Sequence, residues 1–233
     1  MRYIYLLIIL CCFSCNNERV LYLPEIENAE ITEVLDVSPA YIFYDETQPD
    51  STLLNRKNLI ITTNWLVNID KRLTLEQAIP HIKFLQDKKR NAEMHKNEDA
   101  KNYFTCNDTR IGNLGFLEFT DVLYKENIKI DTVYHKYNMP TEENLKRIAG
   151  FHASSTIPLI FKDSNHFEIG EQESNINKLK NELDKLTEIN FIGIHLQLYF
   201  NNNLSFQDYI TIKRRVNSLT SDLISVDLNE FIY

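Results

Sequence analysis

Two stretches of the chain carry the same alternation of apolar and polar residues. Residues 61–79 read ITTNWLVNIDKRLTLEQAI, and residues 192–210, which lie 131 positions later, read IGIHLQLYFNNNLSFQDYI. In both, every second residue is apolar up to a short polar turn, a period typical of a strand with one buried face. The alternation predicts a strand in each stretch, with Trp65 on the buried face of the first and His195 on the solvated face of the second.

A helix is predicted directly after each of these strands. Thr74 and Ser205 stand where a hydroxyl oxygen can accept a hydrogen bond from a backbone N–H of the first turn, so both are predicted N-caps. Gln77 can close a capping box with Thr74, and Asp208 complements the dipole of the second helix. Pro80 falls inside the first predicted helix, where it removes a hydrogen bond and is expected to bend the helix.

A further match lies where each copy ends. Residues 117–124 read LEFTDVLY and residues 226–233 read VDLNEFIY, and each position keeps its apolar, polar or acidic class. We interpret the two matches as an internal duplication. The shorter offset of the second match predicts an insertion at 91–112 of the first copy. The alternative is a chance match, because any two half-buried strands agree at period two.

Other elements surround the two copies. Further strands are predicted at 29–43, 128–134 and 157–162, and further helices at 141–149 and 171–187. The helix at 171–187 has one apolar stripe, formed by Ile176, Leu179, Leu183 and Leu186. Strands that alternate with helices of this length predict an α+β or α/β fold with helices packed on one face of a sheet. We predict two related strand–helix–strand units, at 29–135 and 136–233.

The first residues of the chain predict an exported protein. Arg2 precedes an apolar stretch at 3–13, which is shorter than the ~20 residues of a membrane span and within the roughly 7–15 residues of a signal peptide. Ser14, Cys15 and the polar residues that follow resemble a bacterial lipobox. This resemblance implies a signal peptide at 1–14, cleavage between Ser14 and Cys15, diacylglycerol and a further acyl chain such as palmitate on Cys15, and a tether at 15–28.

The lipobox has one unusual position. Cys12 stands three residues before Cys15, where lipoboxes usually have leucine. The alternative is an ordinary signal peptide that is cleaved elsewhere. Cleavage before Cys15 would leave Cys106 as the one unmodified cysteine, with no intramolecular partner. Its flanks contain no second cysteine and no basic neighbour, so Cys106 is predicted to be a small strand residue and not a nucleophile.

Composition limits the partners of the chain. Its 25 Lys and Arg residues stand against 33 Asp and Glu residues, which gives a net charge of −8. This balance argues against nucleic acid as a partner and against electrostatic adhesion to anionic lipids. Attachment to a membrane is therefore predicted to come from the lipid on Cys15, and the chain is predicted to be anchored to a bacterial cell membrane, inner or outer.

The second half of the chain resembles a known family in its order of elements. The stretches HLQLYFNNNLSFQDYITIKRRVNSL and ISVDLNEFIY are similar to the periplasmic domain of the ExbD/TolR biopolymer-transport family over 157–233. The resemblance implies a cell-envelope domain in the periplasm that pairs with itself or with another envelope protein. That family has a true membrane span with an aspartate for proton coupling. The apolar segment here is too short and has no acidic residue, so the resemblance does not extend to proton coupling.

Candidate chemistry is sparse. No two of the six histidines lie three or four residues apart, so no helical metal-binding pair is predicted, and no cofactor is expected. The sequence FHASST at 151–156 places His152 beside Ser154, and the alternative function is a lipid-anchored hydrolase that uses these two residues. The favoured hypothesis is a non-enzymatic binding or assembly module. The last strand, which ends at Tyr233, is predicted to be an edge strand that a partner strand covers.

Overall fold

The computed structural model of the chain describes residues 19–93, 97–136, 155–169, 172–189 and 193–233. Several predicted features lie outside the described residues: Ser14 and Cys15, the helix at 141–149, and the pair His152 and Ser154. The described residues form a mixed α+β fold with two six-stranded sheets, which confirms the predicted class.

The first sheet and its helix come from the first half of the chain. In chain order they are β1 (Glu25–Ile26), β2 (Val37–Tyr44), β3 (Thr52–Asn55), β4 (Asn64–Ile69), α1 (Leu75–Arg90), β5 (Asn102–Asp108) and β6 (Asn113–Glu118). The second sheet and its helices follow as β7 (Leu123–Lys125), α2 (Ile130–Lys136), β8 (Ser155–Phe161), β9 (His166–Ile169), β10 (Gln172–Asn175), α3 (Leu179–Ile189), β11 (Ile194–Phe200), α4 (Phe206–Asn217) and β12 (Ile224–Ile232).

The two sheets share one topology. In the first, β2, β4 and β5 run parallel, and α1 connects the middle strand β4 to β5. In the second, β8, β11 and β12 run parallel, and α4 connects the middle strand β11 to β12. An antiparallel strand, β3 or β9, flanks the outer parallel strand of each sheet. We call the first sheet, the loops between its strands and α1 the first unit, and the second sheet with α3 and α4 the second unit; β5 and β12 are the third parallel strand of each.

The third strand of the first unit lies where the sequence predicted an insertion. β5 occupies Asn102–Asp108, inside 91–112, and pairs with β4 through the core residue Phe104 opposite Val67. This corrects the predicted insertion. The sequence of this segment is polar although the strand is buried. Asn102 and Asp108 are buried polar residues, and hydrogen bonds to their side chains compensate for their burial.

The matching octets are not structural equivalents. Residues 117–124 contain the end of β6, a turn and the start of β7, so they pass from one sheet to the other. Residues 226–233 lie almost entirely in the one strand β12. β7 also pairs parallel to β12, with Lys125 opposite Phe231, so the last strand is internal there and the predicted edge at Tyr233 is wrong.

Three other predicted elements differ in the structure. The stretch 29–43 is a strand only from Val37, and 128–134 forms the helix α2 rather than a strand. Ile130 and Val133 are three residues apart, a spacing that also fits a helix, and Val133 packs on Ile160 and Tyr199 of the second sheet. The first part of the predicted helix at 171–187 is the strand β10; a 3-10 turn at Ile176–Lys178 then leads into α3, where the predicted stripe residues Leu179 and Leu183 are fully buried.

The predicted strand–helix joints are confirmed. The Thr74 side chain accepts a hydrogen bond from the N–H of Gln77, and the Gln77 side chain accepts one from the N–H of Thr74, which completes the capping box. Ser205 accepts from the N–H of Asp208 at 3.1 Å. α1 continues through Pro80 to Arg90, and Pro80 lies on its exposed face, where water can bond the carbonyl that the proline leaves free.

The two joints contact each other across an approximate two-fold axis. The N–H of Leu75 donates to the carbonyl of Leu204 at 2.9 Å, and the N–H of Phe206 donates to the carbonyl of Leu73 at 2.7 Å. Each member of one bond lies 131 residues from a member of the other. The repeat in the sequence is therefore also a symmetric contact in the fold.

One core joins both units. The inner faces of the two sheets, α1 and α4 belong to a single cluster of buried residues, which includes Trp65, as predicted, and also Cys106. The ring of Tyr209 on α4 lies 6.3 Å from that of Phe104 in the first sheet and 5.1 Å from that of Phe200 in the second. α4 therefore lies between the sheets. Within the described ranges, no helix is long and apolar enough to cross a membrane.

Candidate functional site

The described residues form a groove of about 720 Å³ on the surface of the fold. It lies between the loop after β1, the strand β6 and the C-terminal half of α4, so it combines elements of both units. Its charged lining residues are Glu25, Glu27, Glu30, Glu118, Arg214 and Arg215. We call this feature the inter-unit groove.

A close approach of two backbones forms one wall of the inter-unit groove. At Gly115 of β6, an added Cβ atom would lie 2.4 Å from the Cβ of Ala29 and 2.9 Å from the Cδ1 of Ile26. Glycine therefore lets the loop after β1 lie directly against β6. The N–H of Phe116 donates to the carbonyl of Ile31 at 2.9 Å, which fixes this loop along the strand.

A buried carboxylate holds the same loop. Asp108 is fully buried and accepts hydrogen bonds from the N–H groups of Ala29, Arg110 and Ile111. Burial alone would raise the pKa of Asp108, but these backbone donors outweigh it and leave the pKa lowered. The anchoring point is therefore charged at neutral pH, and the loop has a defined position.

The other wall belongs to α4. The side chain of Gln207 accepts from the N–H of Glu25 at 2.7 Å and donates to the carbonyl of Glu25 at 3.0 Å. Arg214 donates to the carbonyl of Asn28 at 3.3 Å. These three bonds join the second unit to the loop of the first and set the width of the groove.

The charges in the inter-unit groove are only partly paired within the chain. Glu25 pairs with Lys71 at 2.6 Å, and Glu118 pairs with Lys101 at 2.9 Å. In the described parts of the chain, Glu27, Glu30 and Arg215 form no ion pair. The groove thus offers two carboxylates and one guanidinium that remain open to a ligand, beside half-buried apolar residues such as Leu117.

A second groove, of about 610 Å³, lies beside the C-terminal half of α1. Its donors already bond to backbone oxygens: Gln86 donates to the carbonyls of Phe119 and Val122, and Arg90 to those of Thr120 and Val122. Lys83 pairs with Glu126. These contacts fix the passage from β6 to β7, so we assign the second groove a structural role.

A row of polar side chains crosses the outer face of the second sheet. His195 Nδ1 lies 3.0 Å from Ser225 Oγ, and the side chain of Gln197 donates to Asp227 at 2.9 Å. Asp227 sits in a β-bulge between Val226 and Glu230. Burial raises the pKa of Asp227, but bonds from the Asn229 N–H and from Gln197 outweigh it, and the pKa is lowered.

This row contains a serine, a histidine and an acid, but the acid does not hydrogen-bond to the histidine. The hydroxyl of Ser225 lies 3.0 Å from His195 Nδ1 and can also donate to the carbonyl of Ile194 at 3.4 Å. His195 Nε2 lies 3.7 Å from Asp227, beyond hydrogen-bond distance. His195 is partly exposed on the outer face, as its parity predicted.

A buried polar network, which was not predicted from the sequence, lies between the sheets. Lys213 pairs with Glu230, Tyr209 donates to Glu230 at 2.6 Å, and the hydroxyls of Tyr124 and Tyr209 lie 3.0 Å apart. Burial is the main cause that raises the pKa of both tyrosines well above the ordinary value. The spacing of Tyr209 and Lys213 by one helical turn was the available signal, but periodicity does not reveal a partner on a distant strand.

The predicted chemical residues fall into two groups. Cys106 is fully buried in β5, which confirms that it is a strand residue, and burial raises the pKa of its thiol to about 12. Ser14, Cys15, His152 and Ser154 lie outside the described residues, so their roles stay predictions. Across the described ranges, no three His, Cys, Asp or Glu residues lie close enough together to hold a metal ion.

Comparison of the chain with protein-family models, with curated proteins and with solved structures found no match.

Proposed function

We propose that the chain is a lipoprotein of the bacterial cell envelope, anchored through Cys15, that binds a partner protein in the inter-unit groove. The observation that carries the proposal is the groove itself, whose walls are held in place by bonds between the two units. A preformed concave surface with open charges is a common form of binding site. The resemblance to the ExbD/TolR family suggests a component of envelope transport machinery as the partner.

The lining of the groove favours binding over catalysis. Its charged groups are carboxylates and guanidinium groups of ordinary exposure, set beside apolar side chains. Such a lining recognises a segment of opposite charge pattern, in which a basic residue meets Glu27 or Glu30 and an acidic residue meets Arg215. We therefore propose that the partner presents an extended segment with both a basic and an acidic side chain.

The test is a site-specific photo-crosslink in native membranes. A photoreactive residue in place of Glu30 reports from the groove, and one in place of the exposed Leu228 reports from a surface outside it. We expect a crosslinked envelope protein from position 30 and none of the same mass from position 228. Equal recovery from both positions, or recovery only of the chain itself, would overturn the proposed partner.

Charge reversal in the groove adds a matched variant. We expect Arg215→Glu to reduce the crosslink from position 30 at least about tenfold, because it places a carboxylate opposite the acidic side chain of the partner. The control is Lys185→Glu, an equally charged change on the exposed face of α3. A crosslink that Arg215→Glu leaves at the level of the control would contradict binding in the groove.

A further inference from the structure

The chain is fixed to the fold very soon after the predicted lipidation site. The N–H of Tyr22 donates to the buried carboxylate of Asp70 at 3.3 Å, and the carbonyl of Tyr22 accepts from the N–H of Lys71 at 2.7 Å. Two residues later the carbonyl of Pro24 accepts from the N–H of Asn107 at 2.8 Å. The predicted tether at 15–28 is therefore attached to the first sheet over much of its length.

The free length between the lipid and the fold is short. Four peptide steps separate Cys15 from Arg19, whose guanidinium lies 3.5 Å from Asp45 of the fold. At roughly 3.3–3.6 Å per residue, a fully extended chain of this length spans at most about 14 Å. A lipid on Cys15 therefore holds Arg19 within about 14 Å of the bilayer surface, and the domain cannot move far from the membrane.

The surface around this attachment point has a mixed apolar and polar character. We call it the N-terminal end face, and it consists of Arg19, Val20, Tyr22, Tyr44 and Arg72. Val20 is 59% exposed and Tyr22 is 49% exposed. The guanidinium of Arg72 lies 4.8 Å from the centre of the Tyr22 ring and 4.6 Å from that of Tyr44. Tyrosine and arginine with apolar stems are suited to the headgroup region of a bilayer.

The arginines of this face are paired inside the chain. Arg19 lies 3.5 Å from Asp45, and the guanidinium of Arg72 donates two hydrogen bonds to Asp70. The end face therefore has little net positive charge with which to attract anionic lipids, and the chain as a whole carries −8. Contact of the end face with a membrane therefore depends on the lipid anchor and on the exposed side chains of Val20 and Tyr22. A face of this kind is suited to a zwitterionic headgroup layer.

We infer that the N-terminal end face lies against the headgroup layer of the bilayer that holds Cys15. The inference rests on the proposed lipidation. It also sets the orientation of the inter-unit groove, because Glu25 at one end of the groove follows Tyr22 by three residues and pairs with Lys71, which bonds to Tyr22. A partner would therefore reach the groove close to the membrane surface.

The test supplies the anchor chemically. The chain from Cys15 to Tyr233 is coupled through the Cys15 thiol to a maleimide lipid in phosphatidylcholine vesicles. Cys106 is buried, with the pKa of its thiol raised to about 12, so coupling is confined to Cys15. Hydrogen exchange of the backbone amides at 19–21 is then compared between coupled and free protein, with the amides around the exposed Leu228 as the internal reference.

We expect exchange at 19–21 to slow at least about tenfold on vesicles, and exchange around Leu228 to stay unchanged. Val20→Asp is expected to restore most of the free-chain exchange rate, because it places a charge at the headgroup layer, while Leu228→Asp has no effect on the protection at 19–21. Val20 is exposed, so its replacement leaves the core intact.

Equal exchange at 19–21 in coupled and free protein would overturn the inference, as would full protection in Val20→Asp. Because the coupling replaces natural lipidation, either result is separate from a failure of the anchor itself, which labelling of Cys15 in cells tests.

Discussion

Lys89 and Lys213 are both almost fully buried, and the chain satisfies them in different ways. Lys89 donates to the carbonyls of Thr63 and Lys101 and to the side chain of Asn102, at 3.0–3.1 Å, with no carboxylate among its partners. Lys213 pairs with buried Glu230. A charge held only by neutral oxygens retains more of its desolvation cost, and burial accordingly lowers the pKa of Lys89 to about 8.

This lowered pKa predicts a stability that rises with pH. Between the folded pKa of about 8 and the unfolded value of 10.5, the unfolded chain keeps the proton of Lys89 while the folded chain loses it. The unfolded state then binds more protons, so the free energy of unfolding increases with pH in this window. From pH 7 to pH 9 we expect wild type to gain about 1 kcal/mol relative to Lys89→Met.

Urea unfolding of both proteins at pH 7, 8 and 9 measures this gain. The difference between the two proteins removes the effect of groups that they share, such as Cys106 and Tyr209, whose raised pKa values lower stability at alkaline pH. A difference that stays constant between pH 7 and pH 9 would show that Lys89 keeps an ordinary pKa.

At the scale of elements, the strand–helix joints are the best-defined parts of the chain. Thr74 and Ser205 cap α1 and α4 and form a bridge to each other across the approximate two-fold axis. The same short pattern therefore ends a strand, begins a helix and joins the units. The end of the strand and the cap of the helix depend on neighbouring residues, so both could be predicted from the sequence.

The caps predict a coupled loss of stability. We expect Thr74→Ala and Ser205→Ala each to lower the free energy of unfolding by about 1 kcal/mol, because each removes an acceptor from a first-turn N–H. Because the two sites are in contact, we expect the double variant to deviate from additivity by at least about 0.5 kcal/mol. Thermal or urea unfolding measures the three variants.

Thr220→Ala is the control for this series, because its hydroxyl donates to the carbonyl of Asn217 in an exposed turn. We expect a change within about 0.5 kcal/mol there. Strict additivity of the two cap variants would mean that the joints act independently, despite the bonds between Leu73, Leu75 and their counterparts.

The third strand of the first unit, β5, was harder to predict from the sequence than the last strand, β12, whose existence the sequence predicted correctly. β5 is buried on both faces and includes Asn102, Thr105 and Asp108, so it lacks the clean alternation of β4. β12 contains a bulge that places Asp227 beside Gln197, and this bulge interrupts its alternation. In both strands the order of polar and apolar residues depends on partners that are distant in the sequence. The periodicity of the strand alone does not reveal these partners.

At the scale of the whole molecule, one core makes the two units interdependent. α4 packs between the sheets, and the inter-unit groove exists only because the loop after β1 reaches α4 through Glu25 and Asn28. A binding site built in this way uses residues that lie more than 180 positions apart in the chain. Its integrity therefore depends on both units being folded.

The proposed anchor is tested on the whole protein in cells. We expect Cys15→Ala to abolish labelling by a radioactive or clickable fatty acid and to release the protein from the membrane fraction, because the −8 net charge gives no alternative attachment. Cys106→Ala is the matched control and should keep full labelling, since its thiol is buried. Labelling that persists in Cys15→Ala would refute the lipobox interpretation.

Features that depend on near neighbours were predicted correctly from the sequence. Period-two alternation predicted β4, β11 and the burial of Trp65. Hydroxyl residues at the N-cap positions predicted the starts of α1 and α4. Both signals lie within a few consecutive residues. The prediction that Cys15 is lipidated likewise depends only on the residues next to it.

The folded structure was needed to show which distant segments meet. β5 pairs with β4, and β7 pairs with β12, so that the last strand is internal there. Glu25 bonds to Gln207 beside the inter-unit groove. These contacts depend on the packing of one shared core, to which residues of both sheets contribute. No single segment therefore carries a periodic pattern or motif that predicts them.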